Sequence, residues 1–305
     1  MTKATTKSGG KEHSYKAINR LMLEHASQIA DKLGADTILV ISDLTDDLEF
    51  FKGFKGHRKV VLATRDEETY EEAVNVLDNV IRLPKVTLTR MGQVKMGVIM
   101  CLAENLVGSE EKIVCLSGLP KFKTLDSLVI LDIGREFELL TSEDASTVSS
   151  GLQPEVFEGV LTLAVEIANE GREGRPVGTT FVIGDHERVL PLSRQMIINP
   201  FKGYPEEERN ILDRRLRETI KEFAVLDGAF IIRDDGVVIS AGRHLASALA
   251  SDKMPMGLGS RHQAAAGITE ATDALAIVIS ESTGDVRIFK NGSIFMEIER
   301  AKVRP

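Results

Sequence analysis

The stretch Asp227-Gly-Ala-Phe-Ile-Ile-Arg-Asp-Asp-Gly-Val-Val-Ile-Ser240 decides how the second half of the chain folds. Asp227-Gly228 reads as a tight turn between a helix and an apolar strand, and the turn fixes the carboxylate at a strand edge. Residues 230–232 and 237–240 flank Asp234-Asp235-Gly236, two apolar runs around an Asp-Gly pair, which signals a hairpin. Just upstream, residues 205–223 read as a helix, acidic at Glu206 to Glu208 and basic later, as the helix dipole favours. Further upstream, Val156, Val160, Leu161, Ala164, Ile167 and Ala168 share one face of an amphipathic helix. Residues 171–176 break that helix, and 177–184 read as a strand. Downstream, residues 274–280, 286–289 and 294–298 are further strands, joined by Thr283-Gly284 and Asn291-Gly292 turns. The pattern predicts a mixed-sheet α/β domain rich in hairpins.

The first half reads differently. Ile18, Leu21, Met22, His25, Ile29 and Leu33 fall on one helical face, with Gly34 as the stop. Residues 37–41 and 60–63 are short apolar strands, and Asp66, Glu67 and Glu68 open an acidic helix. Residues 91–107 read as a helix, and 112–116 and 128–133 as strands. Continuous apolar strands separated by helices imply an open parallel sheet covered on both faces. A Ser/Thr/Asp/Gly-rich break at 141–154 marks a linker. Two domains are therefore expected, 1–145 (with 1–12 an unstructured tail) and 146–305.

The composition narrows the function. The chain of 305 residues is 43 % hydrophobic and 28 % charged, ordinary values for a globular protein. A net charge of −8 opposes non-specific binding to DNA or anionic lipid. Trp is absent and only 3 Tyr occur, which argues against stacking on single-stranded nucleic acid. No apolar run approaches the roughly 18 residues of a membrane span, and the polar N-terminus has no signal-peptide core. Cytoplasmic location, with neither membrane nor nucleic acid as partner, is the expectation. Cys101 and Cys115 sit in apolar stretches and read as reduced core residues. No P-loop motif occurs.

The chemistry concentrates in two places. Asp227 can hold a metal or accept a proton. Gly257-Leu258-Gly259-Ser260-Arg261-His262 precedes an Ala-rich helix start at Gln263. The glycines let backbone amides approach phosphate, Ser260 can donate a hydrogen bond, and Arg261 presents a planar charged fork. A carboxylate plus an anion cradle at a helix N-terminus suits phosphoryl chemistry on a nucleotide. Glu281, which ends the strand 274–280, is a second acidic candidate. Hard oxygen ligands of this kind suit Mg²⁺ or Mn²⁺.

Residues 146–298, through Asp227-Gly228-Ala229 and Gly257 to Asp273, resemble the diadenylate cyclase family, which condenses two ATP molecules into cyclic di-AMP. The resemblance implies catalytic roles for Asp227, Arg261 and His262, with His262 contacting phosphate. It implies ATP contacts at Gly228, Ala229 and the loop Gly257, Leu258, Gly259 and Ser260; Leu245 and Leu258 read either as cover for the adenine or as core residues. Metal binding falls to Asp227 and Glu281. One position departs from the family pattern: Gln263 stands where a second Arg is usual, and Arg243 is a candidate substitute. Asn199-Pro200-Phe201 also matches some members and reads as structural. The product's symmetry implies a homo-oligomer in which two cyclase domains face each other, each bringing one ATP. The first domain resembles the C-terminal domain of pyruvate kinase, an arrangement associated with archaeal members. Its loop Ser42-Asp-Leu-Thr-Asp-Asp47 is acidic and would repel phosphate, which favours a scaffold or oligomerisation role. Two other readings stay open: a non-catalytic sensor of ATP or cyclic di-AMP, and a metabolite-binding regulatory protein.

Overall fold

The computed structural model describes residues 9–43, 48, 51, 59–108, 110–118, 122–136, 152–173, 175–246 and 258–300. The chain divides into two compact units between Ser142 and Glu143, with Val86–Thr89 counted in the second. Most of the expected linker, and Gly257 of the expected phosphate loop, lie outside the described residues.

The first unit is built on a five-stranded sheet in the order β3-β2-β1-β4-β5. Its strands are β1 (Thr37–Ile41), β2 (Lys59–Thr64), β3 (Val80–Arg82), β4 (Lys112–Ser117) and β5 (Ser127–Asp132). The β1–β2, β2–β3 and β1–β4 pairs are parallel, as expected for this α/β half. The expectation of a wholly parallel sheet is corrected at one edge, where β5 runs antiparallel to β4. A parallel return needs a crossover of a dozen or more residues, and the connection from Ser117 to Ser127 is too short for one.

Helix α1 (Gly9–Leu33) packs on this sheet. It begins inside the tail expected to be unstructured, because residues 11–17 can extend a helix that the packed turns have already nucleated. Its buried face is also rotated from the expected one. Asn19, Leu23, Ala26 and Ala30 are buried, whereas Ile18 and Leu21 are 43 % and 51 % exposed and His25 is exposed. The alanines let the helix approach Val114 and Leu116 closely. Asn19 accepts from the Leu125 backbone N–H (2.7 Å) and donates to the Lys123 carbonyl (3.2 Å). Helix α2 (Glu67–Ala73) is capped by Asp66, whose carboxylate accepts from Thr69 N at 2.8 Å. Helix α3 (Arg90–Ala103) covers β1 and β4. Cys101 and Cys115 are buried free thiols, and burial pushes the Cys101 thiol far up.

The second unit carries a seven-stranded sheet in the order β12-β11-β10-β6-β8-β9-β7. Its strands are β6 (Thr180–Ile183), β7 (Ser193–Gln195), β8 (Ala229–Ile232), β9 (Val238–Leu245), β10 (Leu275–Ile279), β11 (Val286–Lys290) and β12 (Ser293–Ile298). Only β6 and β8 pair in parallel among the described strands of this second sheet. Helices α4 (Pro154–Glu170), α5 (Arg214–Phe223) and α6 (Ser260–Ala271) complete it. Ala265, Ala266 and Ile268 of α6 pack on Val182, Ile231, Val278 and Phe289.

The helix expected over 205–223 is divided into a 3-10 turn (Glu206–Arg209) and α5. Asn210 donates to the Asp235 carbonyl (2.9 Å) and accepts from Leu212 N (2.9 Å), and Asp213 accepts from Arg215 N. Such side chains compete with the helix for backbone groups and restart it as caps. No described helix is long and apolar enough to cross a membrane.

Candidate active site

The strand register explains where the chemistry gathers. Val278 on β10 pairs with Thr180 on β6, and Thr180 pairs with Ala229 on β8. Because β10 is antiparallel to β6 while β8 is parallel to it, the end of β10 and the starts of β6 and β8 share one sheet edge. Glu281 leaves β10 at that edge, and Asp227 precedes β8 there. The first turn of α6 brings Arg261 to both.

Arg261 Nη1 donates to Glu281 Oε2 at 3.0 Å, and Nη2 lies 3.6 Å from Asp227 Oδ1. The two carboxylates face solvent, with side chains 80 % (Asp227) and 62 % (Glu281) exposed. Glu281 borders a pocket of about 610 Å³ lined also by Arg175, Ser260, Arg261, His262 and Ser280, among others, and Asp227 reaches it through Arg261. Gly259 precedes α6 and its carbonyl accepts from the His262 and Gln263 N–H groups, at 3.0 and 3.2 Å, which leaves the Ser260 and Arg261 N–H groups as the first-turn donors without an intrahelical partner. The pocket therefore combines fixed positive charge, amide donors and the Glu281 carboxylate, with Asp227 held beside it by Arg261.

Two glycines make the geometry possible. Gly228 has φ +107°, and a Cβ there would lie 2.7 Å from Arg243 N. At Gly178, just before β6, a Cβ would lie 2.7 Å from Glu281 Cβ and 3.1 Å from Arg261 Nη1. Neither a side chain at 178 nor a different turn at 228 leaves Asp227, Arg261 and Glu281 where they are.

The expected ligands differ in their surroundings. His262 lines the pocket but is only 6 % exposed. Its Nε2 is 3.0 Å from Arg287 Nη1, and its Nδ1 is buried with no hydrogen-bond partner among the described residues. Burial first, then the charges of Arg287 and Arg261, push its pKa down to about 4, so the ring is neutral at pH 7. Leu245 is 5 % exposed and packs in the core cluster that includes Ala265, Ala266 and Ile268 of α6. Ala229 is 2 % exposed for the same reason, as the first residue of a central strand. Leu258 is half-buried, and Gly259 and Ser260 are exposed at the helix start.

Arg243 cannot substitute for the missing charge at Gln263. Its Nε donates to Ser193 Oγ (2.8 Å) and its Nη2 to the Leu190 and Ser193 carbonyls (3.0 and 2.8 Å). Those bonds tie β9 to β7. Asn199 is structural, donating to the Ile239 carbonyl at 3.0 Å and accepting from Phe201 N at 3.1 Å. The residues that sequence reasoning missed are Arg175, Gly178 and Arg287. Arg175 had a signal, a basic residue in the Gly/Pro-rich break after α4, but nothing local linked it to Arg261.

A divalent cation fits the donor set in part. Asp227 and Glu281 are hard oxygen donors that converge on one cation, the guanidinium of Arg261. No group of three or more His, Cys, Asp or Glu gathers among the described residues. The rest of a coordination shell would come from phosphate oxygens and water, as is usual for Mg²⁺.

In the first unit, Asp43 of the acidic loop pairs with Arg65 at 2.8 Å and accepts from Thr64 Oγ1 at 3.2 Å. Its charge is thus compensated inside the protein. The loop's residues 44–47 lie outside the described set.

Comparison with known proteins points the same way. The family model described as DisA bacterial checkpoint controller nucleotide-binding matches residues 166–294. A second, described as a probable sensor domain (DacZ_P), matches residues 19–141. A diadenylate cyclase of Methanocaldococcus jannaschii is 32 % identical over 92 % of this chain and 97 % of its own length. One from Haloferax volcanii is 34 % identical over 72 % of this chain and 79 % of its own. The cyclic di-AMP synthase CdaA of Bacillus subtilis is 41 % identical, over 21 % of this chain and 26 % of its own.

Proposed function

The chain belongs to the diadenylate cyclase family, and we propose that residues 146–305 form the domain that condenses two ATP molecules into cyclic di-AMP and two pyrophosphates. The observation that carries the reading is the convergence of Asp227, Arg261 and Glu281 on one sheet edge beside a pocket of about 610 Å³. In each half-reaction a ribose 3′-oxygen forms a bond to the α-phosphorus of the other ATP. The bond from that phosphorus to the pyrophosphate oxygen breaks, and the hydroxyl proton is lost. Positioning and charge stabilisation supply most of the catalysis in such transfers.

Arg261 and the Ser260 and Arg261 amides at the start of α6 hold the triphosphate. Ser260 adds a hydroxyl donor, and Arg175 supplies charge on the rim. Asp227 and Glu281 would hold Mg²⁺ or Mn²⁺, which neutralises phosphate charge when bound. Their carboxylates also keep Arg261 extended toward the pocket. The reaction needs two nucleotides head to tail, so two cyclase domains face each other across a two-fold axis. Exposed Leu192, Met196, Ile197 and Ile198 support that reading. They flank the Asp227 turn, since Ile197 packs over Gly242 beside Gly228.

Residues 1–145 form the regulatory or assembly module, resembling the pyruvate kinase C-terminal domain; the parallel β3-β2-β1-β4 core supports this. The protein works in the cytoplasm. Incubation with ATP and Mg²⁺ or Mn²⁺, with products separated by chromatography and mass, tests the activity. Cyclic di-AMP and pyrophosphate are expected, and their formation by an Asp227→Asn control must fail. Unchanged ATP with both metals would overturn the reading.

A further inference from the structure

Arg287 stands on β11, outside both sequence motifs, yet it reaches the first turn of α6. Its Nη1 lies 3.0 Å from His262 Nε2. Its Nη2 is held by Glu297 on β12, with Asp285 at 3.7 Å. The imidazole lies over β11, with the Phe289 ring centroid 6.0 Å away. Arg287 and Phe289 are two apart on the strand and so share its face.

A guanidinium has donors and no acceptor. In the contact with Arg287, His262 Nε2 must therefore accept. That requires a neutral ring with its proton on Nδ1. Nδ1 is then a hydrogen-bond donor, and it is buried with no partner among the described residues. An unsatisfied buried donor costs about 1–3 kcal/mol, which an arriving acceptor would relieve. The neighbouring residue repeats the arrangement, since Arg261 Nε is also buried without a partner. Both residues line the pocket. Two consecutive residues with unmatched N–H donors suit an oxygen-rich anion.

We propose that Arg287 is a positioning residue that locks His262 in the neutral Nδ1–H tautomer, so that His262 serves the nucleotide as a hydrogen-bond donor. The identity of the acceptor, a phosphate oxygen, rests on the cyclase reading; the tautomer rests on the protein alone. With its Nε2 lone pair occupied and its Nδ1 protonated, His262 is neither a metal ligand nor a general base. The low pKa of the ring agrees: burial is its first cause, and Arg287 and Arg261 add to it while Glu297 and Asp285 are engaged by Arg287.

The full chain, labelled with ¹⁵N-histidine and free of nucleotide, tests this near neutral pH. One of the 6 histidines should show a protonated Nδ1 and an unprotonated Nε2. His262→Asn identifies that signal by removing it. In Arg287→Met the pattern should revert to the usual mixture, and kcat/KM should fall about tenfold or more, as for loss of one hydrogen bond to a charged group.

Because Arg287→Met also frees two carboxylates and can weaken the fold, a second pair of variants keeps Arg287 intact. His262→Asn retains an amide near the place of Nδ1, whereas His262→Gln reaches the place of Nε2. The Asn variant should keep about tenfold more activity than the Gln variant. An Nε2–H ring in the parent protein, or a Gln variant that outperforms Asn, overturns the proposal. A protein that shows the Nδ1–H form yet makes no cyclic di-AMP removes the cyclase reading and leaves the tautomer assignment standing.

Discussion

Replacing Gly178 by alanine tests whether the Arg261–Glu281 pair must be placed to within an ångström. The added Cβ would sit 2.7 Å from Glu281 Cβ and 3.0 Å from Glu281 N. Ordinary contact starts at 3.4 Å, so the chain at 281 must retreat by about 0.7 Å, the difference between 3.4 and 2.7. The atoms in the way belong to the backbone and its first carbon, so no flexible side-chain tip can absorb the shift. Gly178 is not among the positive-φ residues, so alanine adds no backbone strain of its own.

Overpacking of this kind destabilises by about 1–3 kcal/mol. A displacement near 1 Å at a reacting centre lowers a rate by about a hundredfold. Gly178→Ala should therefore remain folded by circular dichroism, lose about 1–3 kcal/mol in urea denaturation, and form cyclic di-AMP tens of times more slowly. A folded variant with the parental rate would refute the idea that the placement of Glu281 against Arg261 governs turnover.

Asp227→Asn keeps the shape of the turn and removes the charge, so turnover should fall by about a hundredfold or more while calorimetry still detects ATP binding; an unchanged rate would exclude Asp227 from the mechanism. Arg261→Ala should weaken ATP binding itself, and equal affinity in the same titration would count against its phosphate role. Arg175→Ala removes an exposed rim charge, so KM for ATP should rise several-fold with kcat nearly unchanged, as expected from a contact worth about 1 kcal/mol. His262, with a pKa of about 4 in the folded protein against 6.5 as its ordinary value, binds its proton more readily when the chain unfolds. Its contribution is complete above pH 6.5 and is lost as pH falls toward 4, by about 3 kcal/mol at most (2.5 × 1.36). Urea midpoints at pH 7.5 and 5 should separate more in the parent than in His262→Asn, and parallel shifts would contradict the buried neutral ring.

Periodicity located most of the regular elements. The hairpin at Asp234-Asp235-Gly236, the strands around Val278, Ile288 and Met296, and the apolar face of α4 all stand where alternation or helical spacing placed them. Three kinds of feature escaped. Strands of three residues, such as β3 and β7, are too short to show a period. The orientation of α1 depended on Ala26 and Ala30, whose small side chains carry little hydrophobic signal but permit close approach. The interruption before α5 came from hydrogen bonds of Asn210 to residues about a hairpin away, which no local pattern encodes.

The amino-acid sequence alone determined that a carboxylate would sit on a tight turn before a buried strand, and that Ser260, Arg261 and His262 would lie at a helix N-terminus, although the helix starts at Ser260 and not at Gln263 as expected, because turn chemistry is local and helix bounds are less so. It also carried the family resemblance, since that rests on contiguous motifs. Tertiary structure decided that Asp227, Arg261 and Glu281 meet, because the β10-β6-β8 order aligns three strand ends that are distant along the chain. It further decided that Leu245 is buried in the core and Arg243 bonds to Ser193, that a Cβ at Gly178 would crowd Glu281, and that Arg287 meets His262. Each of these depends on a partner supplied by another strand, and such a partner exists only once the sheet has closed.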